Sequence, residues 1–408
     1  MAEQIVTEQI VTPWKASTSG QFNYDMLITQ FGLQPICQTL LDKLNLISGM
    51  PTTHFLTREI FFAHQDFDKI LNAKLAGKEI YLYTGRGPSA EALHLGHMLP
   101  MLFTAWLQKA FDCWVVIQMS DEEKYYFKDG TLEQFMSYTE SNALDIIACG
   151  FDPKKTFIFS SFKYESHTRP IVAAINKRMS VNTANRIYGF NEDTTIGQIQ
   201  WPAYQEAPAL CGAFPHLFGS RKDVMCLVPC AVDQAPYFRS IRAHAKQLGY
   251  PKPALICAKF LVGLQGIGEK ASSTSKIPPI FLNDTNKIIM TKINKYAFSG
   301  GKDTIEKHRE LGGDITVDVP YIYLYHFLED DTELKEIAEA YTIGKMLSGE
   351  IKKRVIFEII KLLDKHKLAR SLITSNLYKS YFTIKVQPNV REEYQKFYDR
   401  YLKIDVEF

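Results

Sequence analysis

A chain of 408 residues, 46% of them hydrophobic, is long enough for two or three domains with cores of their own, which excludes disorder as its general state. Its 47 basic and 45 acidic side chains leave a net charge of +2, which neither demands nor excludes a nucleic-acid partner, because a local basic face can hide in a balanced total. No apolar run approaches the roughly 20 residues that a membrane helix needs, and the opening MAEQIVTEQIVTPW lacks a basic stretch followed by an apolar one, so no membrane is expected and the cytoplasm is the default.

The segment EQIVT occurs twice, from Glu3 and from Glu8, and its alternation predicts one short extended strand; nothing else in the chain repeats. Helical patterning follows over about 23–48 and 57–75, so residues 1–75 read as an arm and helices that cover a site. Next comes EIYLYT as a buried strand, GRGPSAEALHLGH as a loop entering a helix that continues through MLPMLFTAWLQKAF, and CWVVIQM as a second buried strand. This is a βαβ unit. Thr131 with Gln134 reads as a capping box for a helix ending at Gly150, and TFIFS and VMCLVP read as further strands. The fold class is therefore α/β: a Rossmann-like parallel sheet covered by helices over 76–281.

Beyond Phe281 the pattern is helical only, with a cap at Asn283 or Asp284 and periodic runs in KIIMTKINKYAF, YIYLYHFL and EIKKRVIFEIIKLLDKH. Residues 282–408 read as a second, all-helical domain, with NVREEYQKFYDRYLK as one more amphipathic helix. The seven cysteines are odd in number and mostly set in apolar runs, which suits reduced thiols. Cys226 and Cys230, in MCLVPC, read as core residues rather than metal ligands, since no second Cys or His pair stands at zinc spacing.

Chemistry concentrates between Gly85 and His97. Gly85 and Gly87 let backbone approach a ligand, Ser89 and Glu91 supply polar groups, and His94 and His97 fall three apart in the first turn of a helix, where free backbone N–H groups favour anions. Gly96 leaves room for a flat base or ribose. Two surface histidines in a Gly-rich turn are the plain alternative; placement between a buried strand and a buried helix favours a nucleotide. A second stretch, LQGIGEKASSTSK, reads as a flexible polar loop in which Lys270, Ser272, Ser273 and Thr274 close over a polyphosphate. Alone, such a loop is a solvated linker.

Together, in this order, the two stretches resemble the HIGH and KMSKS signatures of class I aminoacyl-tRNA synthetases. YLYTGRGPSAEALHLGH, VIQMSDEEKY, DIIACGFD, VPCAVDQAPYFR, GYPKPAL, AFSGGKDT, FLEDD and SGEIKK extend the resemblance, from about Pro13 to Lys367, to the tryptophanyl-tRNA synthetases of eukaryotic and archaeal type. The resemblance implies an enzyme that activates L-tryptophan with ATP and transfers it to tRNA(Trp), with Mg²⁺ on the phosphates, a homodimer, and an anticodon-binding helical domain. It implies catalytic roles for His94, His97, Lys270 and Ser272, the histidines and lysine neutralising transition-state charge. ATP contacts fall on Gly85, Arg86, Gly87, Ser89, Glu91, Gly96 and Thr274. For tryptophan, Tyr83 and Gln118 receive the indole N–H, Glu123 and Gln234 hold the ammonium, and Gln265 meets the aminoacyl moiety; Pro13 and Trp14 resemble a segment that folds over the site.

Tyr83, Gln118 and Gln234 also stand near strand C-terminal ends, where open parallel sheets bind ligands. The sequence departs from the family in Ala271, Ser272, Ser273 and Thr274 after Lys270, where Met, Ser, Ala or Lys and then Ser are usual. It departs again at Ala235, often acidic, and at Glu206, where a small residue lines the pocket wall. Competing readings are the sister tyrosyl enzyme, a nucleotidyltransferase using HxGH alone, and a synthetase-derived binding protein. Gln118, the long helical region and the intact His94, His97 and Lys270 speak against them in turn.

Overall fold

Runs such as YLY and VVI are apolar without alternation, as strands covered on both faces must be. The computed structural model describes residues 9–11, 16–18, 22–272 and 277–403. In chain order its strands are β1 (Gln9–Val11), β2 (Ala16–Thr18), β3 (Gln34–Pro35), β4 (Phe61–Gln65), β5 (Ile80–Arg86), β6 (Trp114–Met119), β7 (Thr156–Ser160), β8 (Met225–Ala231), β9 (Ala254–Ala258), β10 (Val262–Gly263) and β11 (Gly266–Lys270). Seven of them form one sheet in the order β3-β4-β9-β8-β5-β6-β7. The five from β9 to β7 are parallel, whereas β4 runs antiparallel to β9 and β3 to β4.

Alternate residues of each central strand enter different cores. Ile80 and Leu82 pack with Val115 and Ile117 on one face, under the helix Leu95–Phe111; Tyr81, Tyr83 and Val116 face the other, against Trp201, Phe214 and Phe238. The first core runs on without a break into the C-terminal helices through Val319, Tyr323, Ile351 and Ile359. Helices over Asn286–Tyr296, Ile305–Leu311, Val319–Phe327, Asp331–Thr342, Ser348–Ser371, Ser375–Phe382 and Arg391–Tyr401 make up that region.

Several boundaries differ from the sequence expectation. The helix expected over 57–75 is interrupted: only His54–Thr57 and Phe67–Leu75 are helical, because Phe61–Gln65 pairs with β9 and Asp66 turns the chain at φ 59°. The stretch over 23–48 divides into Tyr24–Phe31 and Gln38–Ser48, broken by Gly32 at φ 65° and by β3, which contains Pro35. Thr285, not Asn283 or Asp284, caps the next helix, since the Asp284 carboxylate is taken by the Phe281 N–H and the Lys292 ammonium. Thr131 caps its helix through the Gln134 N–H as expected, but the Gln134 side chain donates to Tyr138 rather than back to the cap.

The second signature stretch begins as a strand, not a free loop: β11 pairs with β10 and with β2, so the N-terminal arm lies beside the backbone leading to Lys270. Of the EQIVT duplication, only Gln9–Val11 in the second copy is described, as β1; the first copy lies outside the described residues, as do Pro13 and Trp14. The C-terminal helix finds its partner where Val390 packs at Gly219 and the Tyr394 hydroxyl meets His167 Nε2 at 3.1 Å.

Candidate active site

Beyond the C-terminal ends of β5, β6 and β8 opens a cleft of about 330 Å³, where an open α/β sheet binds its ligands. Parallel register sets Gly85 opposite Gln118 and Arg86 opposite Met119. A Cβ on Gly85 would come within 3.2 Å of the Gln118 carbonyl, so the close approach of the two strand ends depends on glycine there.

After β5 and Gly87 the chain leaves the cleft and crosses to His94, the N-cap of Leu95–Phe111. The helix Leu132–Ile147 holds this crossing from below: the Asn142 amide donates to the carbonyls of Ala90 and Glu91 at 2.9 and 3.0 Å. His94 and His97 lie with ring centroids 3.5 Å apart. Arg86 reaches His97 Nε2 at 2.9 Å; because a guanidinium only donates, Nε2 must accept and the His97 proton must sit on Nδ1. The 3.4 Å approach of the His94 N–H to Nδ1 is then a contact between two donors, not a hydrogen bond. Both ring nitrogens of His94 and Nη2 of Arg86 are buried without a partner among the described residues, which leaves them for a ligand or water to satisfy.

The role the resemblance implies for the histidines is one of hydrogen-bond donation rather than of positive charge. Burial, with Arg86 and Lys270 nearby, lowers the His94 imidazole to about 3, and burial and Arg86 hold His97 well below its usual range. Both are neutral donors at physiological pH. Positive charge in the cleft comes instead from Arg86, which burial lowers only to about 10, and from lysines.

The opposite wall holds Tyr83 and Gln118, each almost wholly buried. The Tyr83 hydroxyl donates to Gln118 Oε1 at 2.5 Å and approaches the Gln205 carbonyl at 2.9 Å. Gln118 Nε2 donates to Ser161 Oγ at 2.9 Å and to the Tyr204 carbonyl at 3.1 Å. Since a carbonyl only accepts, the amide cannot be flipped, and Oε1 is the end presented to the cleft. Nearby, Glu123 accepts from Ser120 and Lys124 at 2.8 and 2.7 Å, and that pair packs over Gly87, whose missing Cβ would fall 2.2 Å from Lys124 Cε.

Lys270 ends β11 with its ammonium 2.5 Å from the buried Asp233 carboxylate and 5.4 Å from the Phe260 ring centroid. Gly85, Arg86, Gly87, His94, Gly96, His97, Tyr83, Gln118, Glu123, Gln234 and Lys270 all line the one cleft. Ser89 and Glu91 do not: they lie on the crossing, with Glu91 exposed. Gln265 is also set apart, exposed at the tip between β10 and β11, where Leu264 takes the inward position of the turn. Ser272 is partly exposed beside the lining residue Ala271, and Thr274 lies outside the described residues. Gly96 makes room first for a neighbour, since its Cβ would press on the His94 ring at 3.1 Å. Asp233 and Lys124 were not singled out from the sequence, though each is adjacent to a residue that was, in VDQ and in EEK.

The family model of class I tRNA synthetases (W and Y) matches residues 75–364. The chain is 47% identical over 381 residues to the cytoplasmic tryptophan--tRNA ligase of Homo sapiens, covering 92% of this chain and 81% of that one. It is 44% identical to the cytoplasmic tryptophan--tRNA ligase of Arabidopsis thaliana over 95% of this chain and 97% of the other. The crystal structure of the Plasmodium falciparum tryptophanyl-tRNA synthetase superposes with a TM-score of 0.85 at 40% identity, over 90% of this chain and 99% of that one.

Proposed function

The chain belongs to the class I tRNA synthetases of tryptophan and tyrosine, and on that premise we propose its function: it activates L-tryptophan with ATP and transfers the aminoacyl group to tRNA(Trp). The tryptophan carboxylate attacks the α-phosphate, pyrophosphate leaves, and a hydroxyl of the terminal tRNA ribose then takes the aminoacyl group and releases AMP. The observation that carries the choice of amino acid is the locked Gln118 amide: it offers an acceptor to the cleft, and the indole ring nitrogen can only donate.

In this reading Glu123 and Gln234 hold the substrate ammonium. His94, through its free ring nitrogens, and Arg86, through Nη2, meet the phosphates. Lys270 leaves Asp233 to follow the charge that builds on the departing pyrophosphate. No protein nucleophile takes part; the work is positioning and preorganised donors. At rest Glu123 and Asp233 are ion-paired to Lys124 and Lys270; Mg²⁺ arriving with ATP would supply further positive charge to the phosphates. Residues 76–281 form the catalytic domain together with β3 and β4, which belong to its sheet although they fall within the 1–75 read as a cover, and the helical region from 282 reads the anticodon in the cytoplasm. Pairing of two copies follows the family resemblance.

Amino-acid-dependent exchange of labelled pyrophosphate into ATP, run with each of the twenty amino acids, tests the function. Exchange with tryptophan alone is the expected result; exchange with tyrosine instead, or with none, rejects it. The same assay tests the neutral histidines. Its kcat is expected to show no imidazole inflection between about pH 5 and 7, the span in which an unperturbed histidine titrates. An inflection abolished by His94→Asn would show that a charged imidazole is needed after all.

A further inference from the structure

Glu206 stands where the family's pocket wall has a small residue, and no step above uses it. It ends the helix Ile196–Glu206 and is fully buried. The Tyr188 hydroxyl donates to its Oε1 at 2.5 Å, and the buried Ser240 hydroxyl faces the same carboxyl. The titratable groups facing it from the packed elements are the phenols of Tyr188, Tyr83 and Tyr237, each kept in its neutral form by burial. None is a cation. Two short paths lead from this carboxyl to the cleft. The carbonyl of Gln205, one peptide away, meets the Tyr83 hydroxyl, and the Tyr188 ring lies 5.1 Å from Tyr237, which lines the cleft.

We infer that Glu206 is a positioning residue for tryptophan: clamped by Tyr188, its carboxyl fixes the Gln205 carbonyl and the Tyr237 ring, and through them the orientation of Tyr83 against the indole. This rests on the assignment of the cleft to tryptophan. Burial without a counter-ion raises the carboxyl from 4.5 to about 8, so it is largely uncharged at neutral pH. A group whose pKa is raised in the folded state contributes fully to stability below its unfolded value, here 4.5, and that contribution is lost as pH rises through about 8. Ionisation of an acid in an apolar wall strains the wall it supports.

Glu206→Gln keeps the shape and removes the titration. In the parent protein the KM for tryptophan is expected to rise roughly threefold to tenfold between about pH 7 and 9, while kcat and the KM for ATP follow unrelated profiles. In Glu206→Gln that rise should vanish, and the melting temperature should gain on the parent as pH rises over the same span. Should the variant not fold, Tyr188→Phe, which removes the clamp alone, must raise the tryptophan KM without lowering kcat. An unchanged pH profile in Glu206→Gln alongside normal tryptophan-dependent exchange overturns the role of Glu206 alone. Exchange with no amino acid, or with tyrosine only, overturns the assignment of the cleft and this inference with it.

Discussion

Replacing Lys270 by alanine is expected to lower kcat for tryptophan activation roughly 10²- to 10³-fold, the scale of losing one preorganised donor to a developing charge. The KM for tryptophan should move by less than about threefold, because the ammonium lies on Asp233 rather than on the wall formed by Tyr83 and Gln118. Two features make this the sharpest test of the second signature. Ala271 replaces the methionine that usually follows the lysine, so the loop has lost an apolar anchor, yet β11 pairs with β10 and β2 and brings Lys270 to the cleft by backbone alone. The resting ion pair with a carboxylate only 5% exposed also means that the lysine must exchange one anion for another during turnover. Steady-state pyrophosphate exchange measures the effect, and the melting temperature separates it from any destabilisation by an unpaired Asp233. An unchanged kcat would mean that this loop no longer serves activation and that the cations on the opposite side, Arg86 and Lys124, carry the phosphates unaided.

The central sheet was legible because its signals are local. EIYLYT, CWVVIQM, TFIFS and VMCLVP are short, apolar and bounded by turn residues, and the helix between the first two is nearly continuous in apolar character. Phe61–Gln65 was not, because FFAHQ between two helical patterns has too few residues to show its period, and its strand state depends on pairing with β9, almost 200 positions away in sequence. Register explains the rest of the difference. Tyr83 and Gln118 could be read as a site through the family resemblance and their place near strand C-terminal ends, whereas the pairing of Lys270 with Asp233 crosses 37 residues and leaves no pattern. The neutral state of the two histidines was not legible for the same reason. Imidazoles at a helix N-terminus suggest charge, and only their burial against each other and against Arg86 makes them neutral.

Substituting Gln118 by alanine should raise the KM for tryptophan roughly 10- to 100-fold, since leaving a buried indole N–H without an acceptor costs about 1–3 kcal/mol and each 1.4 kcal/mol is tenfold. The KM for ATP should stay within about threefold, because no phosphate or ribose contact passes through this amide. The argument turns on orientation. The Tyr204 carbonyl and Ser161 hold Nε2, so Oε1 has one lone pair for Tyr83 and one for the ligand. A tryptophan analogue with sulfur in place of the ring N–H isolates that second lone pair. The parent should discriminate against it, and Gln118→Ala should lose most of the discrimination by treating both ligands equally poorly. Were the variant instead to reject the analogue as strongly as the parent does, the indole proton would be received elsewhere, with the Tyr83 oxygen as the nearest remaining acceptor, and Tyr83→Phe would be the substitution that removes the preference.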